Sequence, residues 1–157
     1  MEKQGCVSLD LLNEICSNAE MGRYTLRALI GITKDSEFRK VLARQFAEYQ
    51  LILDDSEEMM MRLGRVPKRL SGMVRGSVHA SLKLNVTIDS TSSHMAEMVM
   101  QGSTIGIIDI IRALNEYNAA AEEVKELGKK LLKPEENIFE EMKAYLREKY
   151  TTIYASL

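Results

Sequence analysis

Histidine, cysteine and proline occur only twice each among the 157 residues, glycine nine times, and neither charge sign dominates, with 21 Lys and Arg against 23 Asp and Glu. So few prolines and glycines, beside 45% apolar residues, exclude a disordered or collagen-like chain. Cys6 and Cys16 are too few for a disulfide framework and are not spaced as a C-x-x-C redox or zinc pair, and Cys16 falls where a buried helical position is expected. A net charge of -2 gives no broad pull toward nucleic acid or an anionic membrane. No stretch approaches the roughly 18 uninterrupted apolar residues of a membrane span, and Met1 to Asp10 holds no apolar run of signal-peptide length. The expectation is a soluble cytosolic protein of one domain, residues 1–157.

What is present is helical spacing. Leu12, Ile15, Ala19, Gly22, Leu26 and Leu29 step by three and four, which predicts a first helix from about Ser8 to Ile32 with Ser8 as its N-cap. Phe38, Leu42, Gln45, Tyr49, Ile52, Ser56, Met59 and Leu63 repeat the rule and predict a second helix from Ser36 to Leu63, ended by Gly64. The short link between them makes an antiparallel hairpin. Residues 65–93, with Pro67, Gly72, Gly76 and a Ser/Thr-rich end, read as a long crossover containing a short helix near Ser71 to Asn85. Its cations Arg65, Lys68, Arg69 and Arg75 have no interleaved aromatic side chains and read as a solvated connector.

Ser93 is placed to cap a third helix reaching about Asn118. On it His94, Met98, Gln101, Ile105, Ile108, Arg112 and Asn115 share one side, and Met95, Val99, Gly102, Gly106 and Asp109 lie beside it. The β-branched run Ile105 to Ile111 would suit a strand, but no other strand exists to pair with it, so helix is expected. Gly102 and Gly106 then mark a close approach of two helix backbones. A fourth helix from about Ala119 carries Val124, Leu127, Leu131, Ile138, Met142 and Tyr145. The apolar face keeps its phase across Pro134, so one kinked helix or two abutting ones are expected, with Thr151 to Leu157 fraying.

Two helical hairpins joined by a long crossover make the ferritin-like arrangement, an all-α, up-down four-helix bundle with the crossover between its second and third helices. The segments Leu12 to Tyr24, Phe46 to Gln50, Met61 to Gly64 and Gln101-Gly102 resemble an uncharacterised family of bacterial ferritin-like proteins distantly related to rubrerythrin. Over about Leu12 to Leu146 that resemblance implies the bundle fold and, more loosely, a stress-associated role.

Active ferritin-like metal proteins take one Glu from each of two helices and a Glu-x-x-His pair from each of the other two. The candidates here are Glu20 on the first helix, unless the family's acidic position is Tyr24; Glu48 on the second; Glu97 and Asp109 on the third; and Glu135 and Glu136 on the fourth. Leu51 follows Glu48 by three and Ile138 follows Glu135 by three, so neither acid has its histidine, and His79 and His94 follow no Glu at that spacing. A carboxylate-only site from Glu20, Glu48, Glu97 and Glu136 or Asp109, holding iron or manganese, is the alternative to a degenerate site without a cofactor. The methionines near His94 would suit Cu(I) but fit core filling better, and no P-loop, nucleophile-elbow or H-E-x-x-H motif occurs. The expected protein is therefore non-catalytic, structural or interacting. Surplus apolar residues, including Phe46, Leu53, Met60, Ile107 and Ile111, point to a homodimer.

Overall fold

The apolar steps of three and four become five helices: α1 (Glu2–Ile32), α2 (Ser36–Arg62), α3 (Gly72–Ile88), α4 (Ser92–Glu116) and α5 (Glu122–Ala155). The computed structural model describes the backbone of residues 2–67 and 69–155 and the side chains of residues 4–67 and 69–146. Among the described residues there is no strand, and no helix is long and apolar enough to cross a membrane. The Ile-rich run of α4 is helical because helix satisfies its backbone groups internally, whereas a solitary strand could not.

Helix α1 packs on α2, α4 on α5, α1 on α4 and α2 on α5, while α3 lies against α1. Named contacts give the directions. Ser92, the first residue of α4, donates to Asp35 just past the end of α1, and Asn18 Nδ2 donates to the Gly106 carbonyl, so α4 runs antiparallel to α1. Ala121 donates its N–H to Ser8 Oγ, and the Tyr145 ring meets Phe38 edge-on, so α5 runs parallel to α1. The core between these helices takes Leu12, Ile15, Ala19 and Leu29 from α1 and Phe38, Leu42 and Ile52 from α2. Met95 and Ile110 enter it from α4, and Leu127, Leu131, Ile138 and Met142 from α5.

Several local expectations change. Helix α1 starts at Glu2, so Ser8 is not its cap; its hydroxyl instead accepts the Ala121 N–H at the entrance of α5. Helix α4 is capped by Thr91, whose hydroxyl accepts from His94 N, and not by Ser93. Its buried stripe is Met95, Ala96, Val99, Ser103, Gly106, Ile110 and Ala113, while Ile105, Ile108 and Ile111 are exposed. On α2 the last inward residue is Met60, with Leu63 exposed. Leu53 and Met60 are core residues and cannot belong to a docking surface. Helix α5 is continuous through Pro134 and on to Ala155; residues 156 and 157, expected to fray, lie outside the described residues, as does Lys68 of the basic cluster.

Helix α2 ends at Arg62, where Gly64 takes a φ of +68° and the Arg65 N–H reaches back to the Met60 carbonyl at 3.0 Å. The crossover is tied down at its start. Glu20 of α1 accepts the Leu70 N–H at 2.8 Å, and Arg69 pairs with Glu57 of α2 at 2.5 Å. Its helix α3, near the expected Ser71 to Asn85, is capped by Ser71 and buries Leu82 and Val86.

At the other end of the crossover stands Asp35. Its Oδ1 caps α2 by accepting from Glu37 N at 2.9 Å and Phe38 N at 3.0 Å, and its Oδ2 accepts from Ser92 Oγ at 2.9 Å. These bonds, the Phe38 N–H first, hold the carboxyl below its ordinary range. Asp35→Ala is expected to lower stability by about 1–2 kcal/mol at neutral pH. A depressed pKa means that the contribution is present above pH 3.8 and is lost as the folded carboxylate protonates at lower pH. Urea unfolding of the two proteins at pH 7 should therefore differ, and the gap should close on acidification.

Candidate functional site

Where α1 and α4 face each other, both helices present small residues: Ser17 and Gly22 on α1, Gly102, Ser103 and Gly106 on α4. Short side chains leave the space between the two helices unfilled at this level, and a cavity of about 270 Å³ opens there. Met21, Leu26, Met98, Val99, Ile105 and Ile138 supply apolar wall, and Glu14 and Asp109 are exposed carboxylates on its lining. Tyr49 from α2 and Glu135 from α5 close it on the side of the core.

Glu135 follows Pro134 and falls four residues after Leu131 and three before Ile138, on the apolar stripe of α5. It is 2% exposed. The hydroxyls of Tyr49 and Ser103 hydrogen-bond to its carboxyl group, while its Oε2 has no hydrogen-bond partner among the described residues. Burial pushes the Glu135 pKa up to about 7, against the smaller opposing pull of the two hydroxyls. Tyr49 is itself driven well above its ordinary range, first by burial and then by the neighbouring Glu135 charge.

Two glycines make room for this pair. A Cβ on Gly22 would stand 2.6 Å from Cε1 of the Tyr49 ring, and one on Gly106 would stand 2.7 Å from Glu135 Oε1. Gly106 thus admits the carboxyl group of α5 and not a second backbone, and a Cβ on Gly102 would meet nothing within 4 Å. The expected close backbone approach at these two glycines is replaced by a seat for one side chain and an opening.

The four carboxylates expected as ligands are placed differently. Glu20 is buried and bonds to the Leu70 N–H, Glu48 is exposed on α2, Glu97 is exposed and bonds to Gln101 at 3.4 Å, and Glu136 is exposed on α5. Asp109 is exposed, His79 lies exposed on α3, and His94 sits at the start of α4 with its Nε2 unpartnered. Among the described residues no group of three or more His, Cys, Asp or Glu comes together in a way that could hold a metal ion. The donor set at the centre, one carboxyl group and two hydroxyls without imidazole, does not fit a dinuclear site. The ligand set expected from the sequence contains Glu136, whereas the buried acid is Glu135, one residue and about 100° away on the helix. The stripe Leu131, Glu135, Ile138, Met142 is the signal that separates them.

No protein-family model matches the chain, and no curated protein and no solved structure matches it.

The arrangement can bind a donor at Glu135 and can exchange a proton near neutrality. Because the folded pKa of Glu135 is raised from 4.5 to about 7, the native state holds an extra proton between those values. The contribution of this group to stability is therefore highest below pH 4.5, falls as pH rises toward 7, and is level above it. The full change is about 3–4 kcal/mol at about 1.4 kcal/mol per unit. Urea midpoints of wild type and Glu135→Gln, taken at pH 5 and pH 8, should show the variant gaining on wild type by that order at the higher pH. Parallel pH profiles for the two proteins would contradict the assignment.

Proposed function

We propose that the chain is a ferritin-like four-helix bundle, α1, α2, α4 and α5, with α3 in the crossover, that carries a degenerate metal site and works as a non-catalytic structural or interaction protein. One observation carries the reading. At the centre, where a dinuclear site needs several carboxylates and two imidazoles, Glu135 stands with the hydroxyls of Tyr49 and Ser103. The topology supports the bundle, since two hairpins of long helices flank a crossover that returns the chain from the end of α2 to the end of α1. The resemblance of Leu12 to Tyr24 and Phe46 to Gln50 to rubrerythrin-related bacterial proteins agrees with it. Cys6, exposed and unpaired, and the free Cys16 suit a reducing cytosol.

Expression with iron and manganese supplied, followed by metal analysis by mass spectrometry, tests the reading. The expected result is far less than one metal ion per chain, equal in wild type, Glu48→Ala and Glu135→Gln. Near-stoichiometric metal that disappears in either variant would replace this function with that of an iron or manganese carboxylate protein.

A homodimer is part of the same proposal. Ile105, Ile108 and Ile111 are exposed along α4, and Met73, Leu84 and Ile88 along α3, and such rows of exposed apolar side chains support an interface with a second copy. Sedimentation at micromolar concentration should give twice the chain mass, and Ile108→Glu should shift it toward monomer; a wild-type monomer would end the dimer.

A further inference from the structure

The cavity between α1 and α4 has an unbalanced lining. It includes the carboxylates of Glu14, Asp109 and Glu135, and among the described residues no Lys, Arg or His lines it. The first two are exposed, but Glu135 is 2% exposed and its Oε2 has no partner among the described residues. Buried acceptors of this kind are ordinarily satisfied, and an unsatisfied one calls for a donor from elsewhere. Tyr49 and Ser103 already hydrogen-bond to the same carboxyl group and to each other, so among the described residues no further donor reaches Oε2.

Apart from Ser17, Asn18, Thr25, Tyr49 and Ser103 the remaining lining is apolar or glycine, and the small residues of α1 and α4 leave it open. At about 270 Å³ the space is under twice the roughly 150 Å³ that holds a benzene molecule. A single ring with a short chain fits it; a peptide or a polyanion does not.

We propose that this cavity binds a small primary ammonium compound, its ring or branched alkyl body between α1 and α4 and its ammonium group donating to Glu135. The carboxylate is desolvated by the fold before any ligand arrives, so the ammonium meets an acceptor whose burial has already been offset in folding. Glu14 and Asp109 add attraction for a cation at the lining. A neutral alcohol of the same shape donates a hydrogen bond but brings no charge, and a divalent cation needs about six oxygen ligands that these residues do not assemble. The inference rests on the reading that Glu135 is not a metal ligand.

Calorimetric titration of the full chain with 2-phenylethylammonium chloride, with 2-phenylethanol and with manganese chloride alone tests it, in wild type, Glu135→Gln and Gly102→Leu. Circular dichroism establishes that each variant keeps its helices. The ammonium compound should bind wild type at least about tenfold more tightly than the alcohol, the difference made by one charge-assisted hydrogen bond. Glu135→Gln should abolish that preference. Gly102→Leu, whose side chain enters open space at the cavity, should weaken both organic ligands. Equal binding of amine and alcohol, a preference that survives in Glu135→Gln, or no binding of the amine would each overturn the proposal. Manganese binding that Glu135→Gln removes would overturn the non-catalytic reading as well, whereas a silent amine titration beside silent manganese would overturn this inference alone. Should Glu135→Gln fail to fold, the amine-to-alcohol ratio in wild type and the loss in Gly102→Leu still decide it.

Discussion

Glu135 sets a buried carboxyl group on the wall of a cavity that Val99, Ile110 and Ile138 also line, and the chain around it is arranged by what a buried acid requires. A carboxylate in such surroundings is expensive to ionise, so it needs donors close by and space for its oxygens. Tyr49 and Ser103 bring the donors from α2 and α4, and the missing Cβ of Gly106 leaves the space. Tyr49 in turn reaches its place only because Gly22 lets the ring lie against the α1 backbone. Helices α1, α2, α4 and α5 each give a residue to one small polar centre. Apolar packing alone would have allowed them to slide or rotate against one another; a hydrogen-bonded acid does not.

Much of the helical scaffold is legible in the sequence because hydrophobicity and helical period agree there. Leu12, Ile15, Ala19, Leu26 and Leu29 are all buried on α1, as are Phe38, Leu42, Gln45, Tyr49, Ile52 and Ser56 on α2. Helix α4 misleads for a physical reason. Its inward face is built partly of Ala96, Ser103, Gly106 and Ala113, chosen for volume, while large isoleucines point outward, so the strongest apolar signal marks the wrong side. The polar centre was hard to find for a related reason: Glu135 sits on an apolar stripe, and only its phase with Leu131 and Ile138 distinguishes it from Glu136. Caps were the least legible. Ser8 has the chemistry of a cap, but the helix it serves is α5, which no local reading could reveal.

The crossover is held by polar bonds more than by burial. Only Leu82 and Val86 of α3 are in the core, yet Leu70 is bonded to Glu20, Arg69 to Glu57 and Ser92 to Asp35. Glu20, Asp35 and Glu57 therefore act as fixed points for the returning chain. Of the carboxylates expected as metal ligands, Glu20 fixes the start of that return.

The bond between Ser8 and Ala121 joins residues 113 apart in the chain. Such a contact forms only after nearly the whole sequence is available, and the same holds for the apolar faces of α1 and α2 that α4 and α5 cover. During synthesis the first hairpin can assemble locally, but it waits on the ribosome with Ile15, Leu29 and Leu42 incompletely enclosed until its partner hairpin emerges. The order of the helices in the chain thus leaves the apolar face of the early half uncovered until the second hairpin is made, even though the finished protein hides it.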